Sequence, residues 1–280
     1  EIVFKLHDTY GFPFDLTADI AREKQLLIDE DGFNKCMKQQ KESSKSSSHF
    51  VSSLPAASGV QETKFLGYDQ LKSESEILVM WDGQERVENA LKGQEIFLAC
   101  NQTPFYAESG GQIGDKGKFA SDNATGNILD CRKQGKVFIH QAVIDSGEIK
   151  KGDLIEMSVE KEKRIAIAIH HSSTHLLHAA LREVLGDHVQ QKGSLVDETK
   201  LRFDFSHDKP LTQDEIATIE KIVNQEALNN LEVKTELMKL DDAMKSGAMA
   251  LFGEKYDDDV RVLTMGENSY SVELCGGTHV

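Results

Sequence analysis

Positive charge is scarce in this 280-residue chain: 32 Lys and Arg stand against 47 Asp and Glu, for a net charge of −15. That balance argues against broad, sequence-independent nucleic-acid binding, which depends on a basic surface displacing counterions. It leaves room for a local basic face. Lys161, Lys163, Arg164, Arg182, Lys192, Lys200 and Arg202 gather around one stretch, although a solvated helix face explains them equally well. No apolar run approaches the ~20 residues needed to span a bilayer. The opening residues lack the basic-then-apolar build of a signal peptide. The four cysteines, Cys36, Cys100, Cys131 and Cys275, are scattered and form no Cys-x-x-Cys pair. That is no disulfide framework, and it fits a reducing, cytoplasmic location. A methionine start is also lacking, and Glu1 reads as mid-element, so a fragment of a longer protein is expected. Nothing calls for a membrane or an obligate protein partner. With 39% hydrophobic residues and a mean hydropathy of −0.42, the chain reads as globular and long enough for two or three domains.

Two spaced pairs stand out. His171-Ser172-Ser173-Thr174-His175 lies in a run that reads as helix from Lys161 to Leu185, and residues four apart on a helix share a face. Cys275-Gly276-Gly277-Thr278-His279 offers a thiolate and a third imidazole at the same spacing. Each pair alone is weak, since surface histidines and buried thiols are common. Together they form a His3Cys set that suits tetrahedral zinc. The spacing is that of the zinc-protease helix, but Ser172 stands where such an enzyme needs its general-base glutamate. A protease reading is therefore poor.

The expected fold class is α+β. Residues 1–58 read as a short helical segment and linker, with Asp15 and Asp31 as helix caps and the polar stretch Lys41–Ser48 exposed. Residues 59–160 read as a small β-barrel or sandwich of short strands: Ile77–Trp81, closed by an Asp82-Gly83 turn, then Ile96–Cys100, Lys116–Ala120, Asn127–Cys131, Val137–His140 and Leu154–Val159. Within it, Thr103–Asp115 carries Gly110-Gly111-Gln112. It lacks the glycine spacing of a dinucleotide loop and the Lys-Ser/Thr end of a phosphate loop. Tight turns needing positive φ, or a backbone that approaches a ligand, are the two readings. Residues 161–280 read as an α+β core. Gly186 stops the His helix, Leu201–His207 is a strand, and Thr212 with Glu215 forms a capping box. Leu231–Leu237, Val260–Leu263 and Tyr270–Leu274 are strands. Leu240–Leu251 is a short helix whose methionines fill core.

Taken in order, Asp8-Thr9-Tyr10-Gly11-Phe12-Pro13, Glu108–Gln112, His171–Ala180, Gln191-Lys192-Gly193-Ser194, Leu201–His207 and Cys275–His279 resemble the bacterial alanyl-tRNA synthetase family across essentially the whole chain. The resemblance implies that the helical start ends a tRNA-recognition region and that the rest is an editing domain, a β-barrel followed by a zinc-bearing core. It implies zinc on His171, His175, Cys275 and His279. The implied activity is hydrolysis of the ester in Ser-tRNA(Ala) and Gly-tRNA(Ala), with tRNA(Ala) as partner. The parent's ATP- and Mg2+-dependent ligation of alanine would lie in a region before residue 1.

Thr174, which precedes a ligand on the same helix turn, and Gln191 are the polar groups placed beside the substrate. Gln191 is placed in a loop and matches a family position linked to editing. A Thr174 hydroxyl bonded back to its own helix is the alternative. His178 reads as packing and His170 as surface. Asp204 and His207 read as a strand residue and a satisfied histidine, ahead of a proton relay. Two rival functions remain, a free-standing deacylase acting in trans and a zinc-stapled tRNA-binding module without hydrolysis.

Overall fold

The structure is a computed structural model that describes residues 2–10, 14–24, 26, 28–30, 32–33, 35–36, 54–245, 247–249 and 258–280. They fall into two compact units, Glu1–Leu54 and Pro55–Val280. In the first, α1 (Ile2–Tyr10) and α2 (Phe14–Glu23) are helices. Because α2 begins at Phe14, Asp15 lies in its first turn and is not the cap expected from sequence. The expected cap at Asp31 and the polar stretch Lys41–Ser48 lie outside the described residues.

The second unit opens with ten strands: β1 (Lys64–Phe65), β2 (Lys72–Asp82), β3 (Glu85–Val87), β4 (Asn89–Leu91), β5 (Glu95–Cys100), β6 (Gln102–Thr103), β7 (Gly117–Ala120), β8 (Ala124–Gln134), β9 (Val137–Lys150) and β10 (Leu154–Val159). Helix α3 (Lys161–Leu185) follows, then β11 (Gln191–Val196), β12 (Leu201–Phe205), α4 (Gln213–Asn229), β13 (Lys234–Lys239), α5 (Leu240–Lys245), β14 (Asp259–Met265) and β15 (Ser271–Leu274).

Six strands close on themselves in the order β10-β7-β8-β9-β5-β2, with β10 returning to β2. The β-region is thus a closed barrel rather than a sandwich, and closure leaves no open edge. Strand β5 is buried on both faces from Ile96 to Cys100. Its Ile96, Leu98 and Cys100 meet Ile77, Phe119 and Ile155 in the main core. Register shifts between Ile77 and Val79, and between Ile128 and Asp130, bend the strands around that core. Strands β8 and β9 reach 11 and 14 residues, well beyond the expected Asn127–Cys131 and Val137–His140. The added length of β9 carries buried Ala142, Ile144 and Ile149, and β8 begins at buried Ala124, so the core extends with the ladder beyond the expected bounds.

Beyond the barrel, α3 has the expected bounds, and Gly186 at φ 112° ends it. Thr212 and Glu215 form the reciprocal capping box of α4, which buries Ile219 with Ala180, Leu181 and Val189. The three-stranded sheet β13-β14-β15 closes the unit. Strand β13 starts at Lys234 rather than Leu231. The described part of α5 ends at Lys245. Met244 is exposed rather than core filler, because so short a helix leaves it on the outer face.

One imidazole lies wholly inside the barrel. His140 Nδ1 is 3.2 Å from the Leu98 carbonyl oxygen, and Nε2 is 2.8 Å from Thr103 Oγ1. A carbonyl only accepts, so Nδ1 carries the proton and Nε2 accepts from the threonine hydroxyl. Burial pushes His140 down to about 4, whereas an unfolded histidine titrates near 6.5. As pH falls the unfolded chain takes up this proton first. The contribution is therefore complete above pH ~6.5 and is lost toward pH ~4, by about 3 kcal/mol. Unfolding free energies compared at pH 7 and pH 4 are expected to fall by that much less in His140→Gln than in the parent.

Candidate metal centre

Helix α3 is fixed to the barrel by a buried ion pair. Arg164 Nε donates to both Asp115 carboxylate oxygens, at 2.9 and 3.0 Å, and Nη2 donates to the same carboxylate. The remaining guanidinium donors reach the carbonyls of Gly67 (2.6 Å) and Pro104 (2.9 Å). Asp115 also accepts from the Tyr106 amide at 2.6 Å. Arg164 was expected on a basic surface. It is buried instead, because a barrel carboxylate and two carbonyls satisfy its planar fork.

Two turns further along α3, His171 and His175 face the loop after β15. The ligand atoms of His171, His175, Cys275 and His279 all lie within 4.8 Å of one another. Cys275 Sγ is 3.5 Å from His171 Nε2 and 3.3 Å from His279 Nε2. A sulfur and a nitrogen sharing one tetrahedral zinc sit roughly 3.6 Å apart, so the spacing fits. His175 Nε2 is buried and has no hydrogen-bond partner among the described residues. That is an unsatisfied lone pair or proton aimed into the cluster. Burial alone would raise the Cys275 thiol, but hydrogen bonds and charge from the three imidazoles hold it well below the usual range. That direction favours the thiolate, the form a metal takes. Burial pushes His279 down to about 3. At His175 burial also opposes charge, yet Cys275 and Glu273 outweigh it and lift the group to about 10. By charge, nitrogen and sulfur content, and spacing, the four residues fit a zinc ion.

A second ring of side chains, which the sequence reading missed, orients these four. Gln112 is wholly buried. Its Oε1 accepts from His171 Nδ1 (2.7 Å) and from the Thr278 amide (3.0 Å), and its Nε2 donates to Thr278 Oγ1 (2.9 Å). An amide oxygen only accepts, so the proton of His171 is on Nδ1 and Nε2 is left to ligate. Glu273 Oε1 lies 3.8 Å from His175 Nδ1 and 3.1 Å from His178 Nδ1. Ser172 Oγ lies 3.4 Å from His279 Nδ1. Arg261 donates to the Gly277 carbonyl at 2.8 Å and covers the Tyr68 ring at 4.2 Å, while Tyr68 donates to the Gly276 carbonyl at 2.7 Å. Gly277 is required by space: a Cβ there would stand 2.2 Å from His171 Cε1. Gly111 is required twice over, by its φ of +83° and by the Ser194 carbonyl, which a Cβ would meet at 2.6 Å. The glycine loop makes the tight, positive-φ turns of the first reading, and its backbone closely approaches β11. Its position in sequence was the available signal for Gln112.

A cavity of about 190 Å³ opens beside the cluster, walled by His171, Thr174, His175, Gln191 and Cys275 on one side. Phe65, Tyr68, Tyr106, Phe138 and Lys133 wall it on the barrel side. Thr174 donates its hydroxyl to the His170 carbonyl at 2.8 Å, as in the alternative reading, and is also one of the residues lining the cavity. Gln191 is the first residue of β11 rather than a loop residue, because its backbone pairs with Phe205. His178 is buried against Glu273, and its Nε2 has no hydrogen-bond partner among the described residues. His170 is half-buried, with Nδ1 donating to the Asp197 carbonyl at 2.7 Å, so it is not a surface group. Asp204 pairs with Arg202, and His207 with His188. Among the described residues no hydrogen-bonded relay connects them to the cluster.

Comparison with known proteins places this architecture. The family described as tRNA synthetases class II (A) matches residues 1–163, and the chain belongs to that family. Over its full length it is 50% identical to the alanine–tRNA ligase of Nitrosomonas europaea. It is 48% identical to the alanine–tRNA ligases of Nitrosospira multiformis and Pseudomonas entomophila. The chain spans about a third of the length of these curated relatives, 32% in each case. Among the described residues no helix is long and apolar enough to cross a membrane.

Removing the cation of the buried pair while keeping its carboxylate tests the anchoring role. Arg164→Met is expected to lower the unfolding free energy by about 3–5 kcal/mol, as measured by urea denaturation.

Proposed function

We propose that this chain is an editing segment of an alanine–tRNA ligase that hydrolyses the ester of Ser-tRNA(Ala) and Gly-tRNA(Ala). The observation that carries the reading is the cavity, whose wall combines three of the four cluster residues with Thr174 and Gln191. The relatives' name supplies tRNA(Ala) as the partner. Their alanine-ligating activity, which needs ATP and Mg2+, belongs to proteins of which this chain is one part. The class of the protein and the absence of a membrane-crossing helix among the described residues fit a cytoplasmic setting.

His171, His175, Cys275 and His279 would hold zinc. When bound, zinc supplies fixed positive charge and Lewis acidity at the cavity wall. The chain's own groups account for recognition. The Thr174 hydroxyl hydrogen is committed to His170, so its oxygen is left as an acceptor for the serine hydroxyl or the substrate ammonium. The Gln191 carboxamide offers both a donor and an acceptor from the facing strand. An alanyl ester has no hydroxyl and leaves these groups unpaired, which penalises it. Such a second site is needed because a pocket shaped for alanine gains only ~1–3 kcal/mol against glycine or serine. The barrel wall contributes the Lys133 cation, suited to the phosphodiester of the incoming strand.

Incubation with Ser-tRNA(Ala), Gly-tRNA(Ala) and Ala-tRNA(Ala), with and without chelator, tests the reading. Hydrolysis of the first two and sparing of the third is expected, together with loss of activity on chelation. All three esters surviving in every lane would leave the rival reading, a zinc-stapled tRNA-binding module. Activity on free-standing aminoacyl-tRNA alone does not separate this chain from a trans-acting deacylase. Its class II (A) match over residues 1–163 does favour a ligase segment. Thr174→Val keeps the side-chain volume and removes the acceptor. It is expected to lower kcat/KM for Ser-tRNA(Ala) about tenfold, the worth of one hydrogen bond, with a smaller effect on Gly-tRNA(Ala).

A further inference from the structure

We infer that His188, His207 and Asp208 form a second divalent-metal site on the surface, separate from the cluster at Cys275. His188 lies in the turn after α3, and His207 and Asp208 follow β12. The two turns are held together by backbone and near-backbone hydrogen bonds. Ser206 N donates to the Gln190 carbonyl (3.0 Å), Gln190 N to Ser206 Oγ (3.0 Å), and Ser206 Oγ to the His188 carbonyl (3.1 Å). Arg182 adds contacts to the carbonyls of Asp187 and Val189, at 2.8 and 3.1 Å. The separation of the two turns is therefore set by these bonds, so the side chains are carried on a fixed backbone.

His188 Nε2 and His207 Nδ1 are 2.9 Å apart, with the rings 26° from parallel. Asp208 Oδ1 is 3.9 Å from His207 Nδ1, and the three ligand atoms lie within 4.8 Å of one another. Two nitrogens on one zinc stand roughly 3.0–3.4 Å apart, so an ion enters with a small rotation of either ring. Two imidazoles and one carboxylate are the donors of zinc, nickel and copper sites, and they leave further positions to water. The ion would join the end of α3 to the end of β12 at the root of β11. That strand begins with Gln191, so the second ion would act as a clip behind the cavity wall.

The full 280-residue chain, stripped by chelator and titrated with zinc against a chromogenic competitor, is expected to take up two equivalents. His207→Ala and Asp208→Asn are expected to take up one. Cys275→Ser is also expected to take up one, now at the surface pair. Cobalt substitution gives an independent reading. The thiolate charge-transfer band is expected to vanish in Cys275→Ser and to persist in His207→Ala. His188→Asn serves as a second exposed variant should His207→Ala fold poorly. A single equivalent in the parent that disappears in Cys275→Ser and is untouched in His207→Ala would overturn this proposal while leaving the first centre standing. Two equivalents retained in both histidine variants would overturn it as well.

Discussion

The architecture of the larger unit hangs on the Arg164–Asp115 pair. Two opposite charges are removed from water between a barrel loop and the first turns of α3, and each is satisfied by further hydrogen bonds to backbone. Pairs of this kind add little net stability compared with a well-packed apolar contact, but they tolerate almost no misplacement. Here they set the rotation of a 25-residue helix relative to the barrel. That rotation decides where the imidazoles point two turns later.

From this constraint the cluster follows as a joint product of three elements. The helix contributes two imidazoles, the loop after β15 contributes a thiolate and a third imidazole, and the barrel contributes Gln112, which bridges the other two. The aromatic and cationic clamp of Tyr68 and Arg261 holds the Gly276–Gly277 backbone from outside. A cavity at such a junction can read a substrate from two sides, with polar groups on the core face and aromatic rings on the barrel face.

Much of this was legible in the order of residues where the signals are local. The bounds of α3, its glycine stop, the Thr212–Glu215 box and strand β10 all matched, since each rests on a period or cap within a few positions. The matched spacing of the two ligand pairs also pointed to one cluster. What escaped was non-local. The full lengths of β8 and β9 emerge from their mutual pairing, which is interrupted by two register shifts. The burial of Arg164 depends on an aspartate 49 positions away, and Gln112 declares its purpose only when His171 stands beside it. Gln191 read as loop because a bulged, glycine-containing strand carries no clean alternation.

The 104 positions between His171 and Cys275 have a kinetic consequence during synthesis. At about 5–20 residues per second, a ribosome needs on the order of 5–20 s to deliver the thiolate after the helix has emerged. Throughout that interval the barrel has its core strands, α3 is still acquiring the partners that follow it in sequence, and the two helical imidazoles stand as an open half-set with weak hold on any ion. Closing the remaining half is a long-range loop closure, slow by nature. The barrel therefore acquires its shape before the chain acquires a complete set of donors.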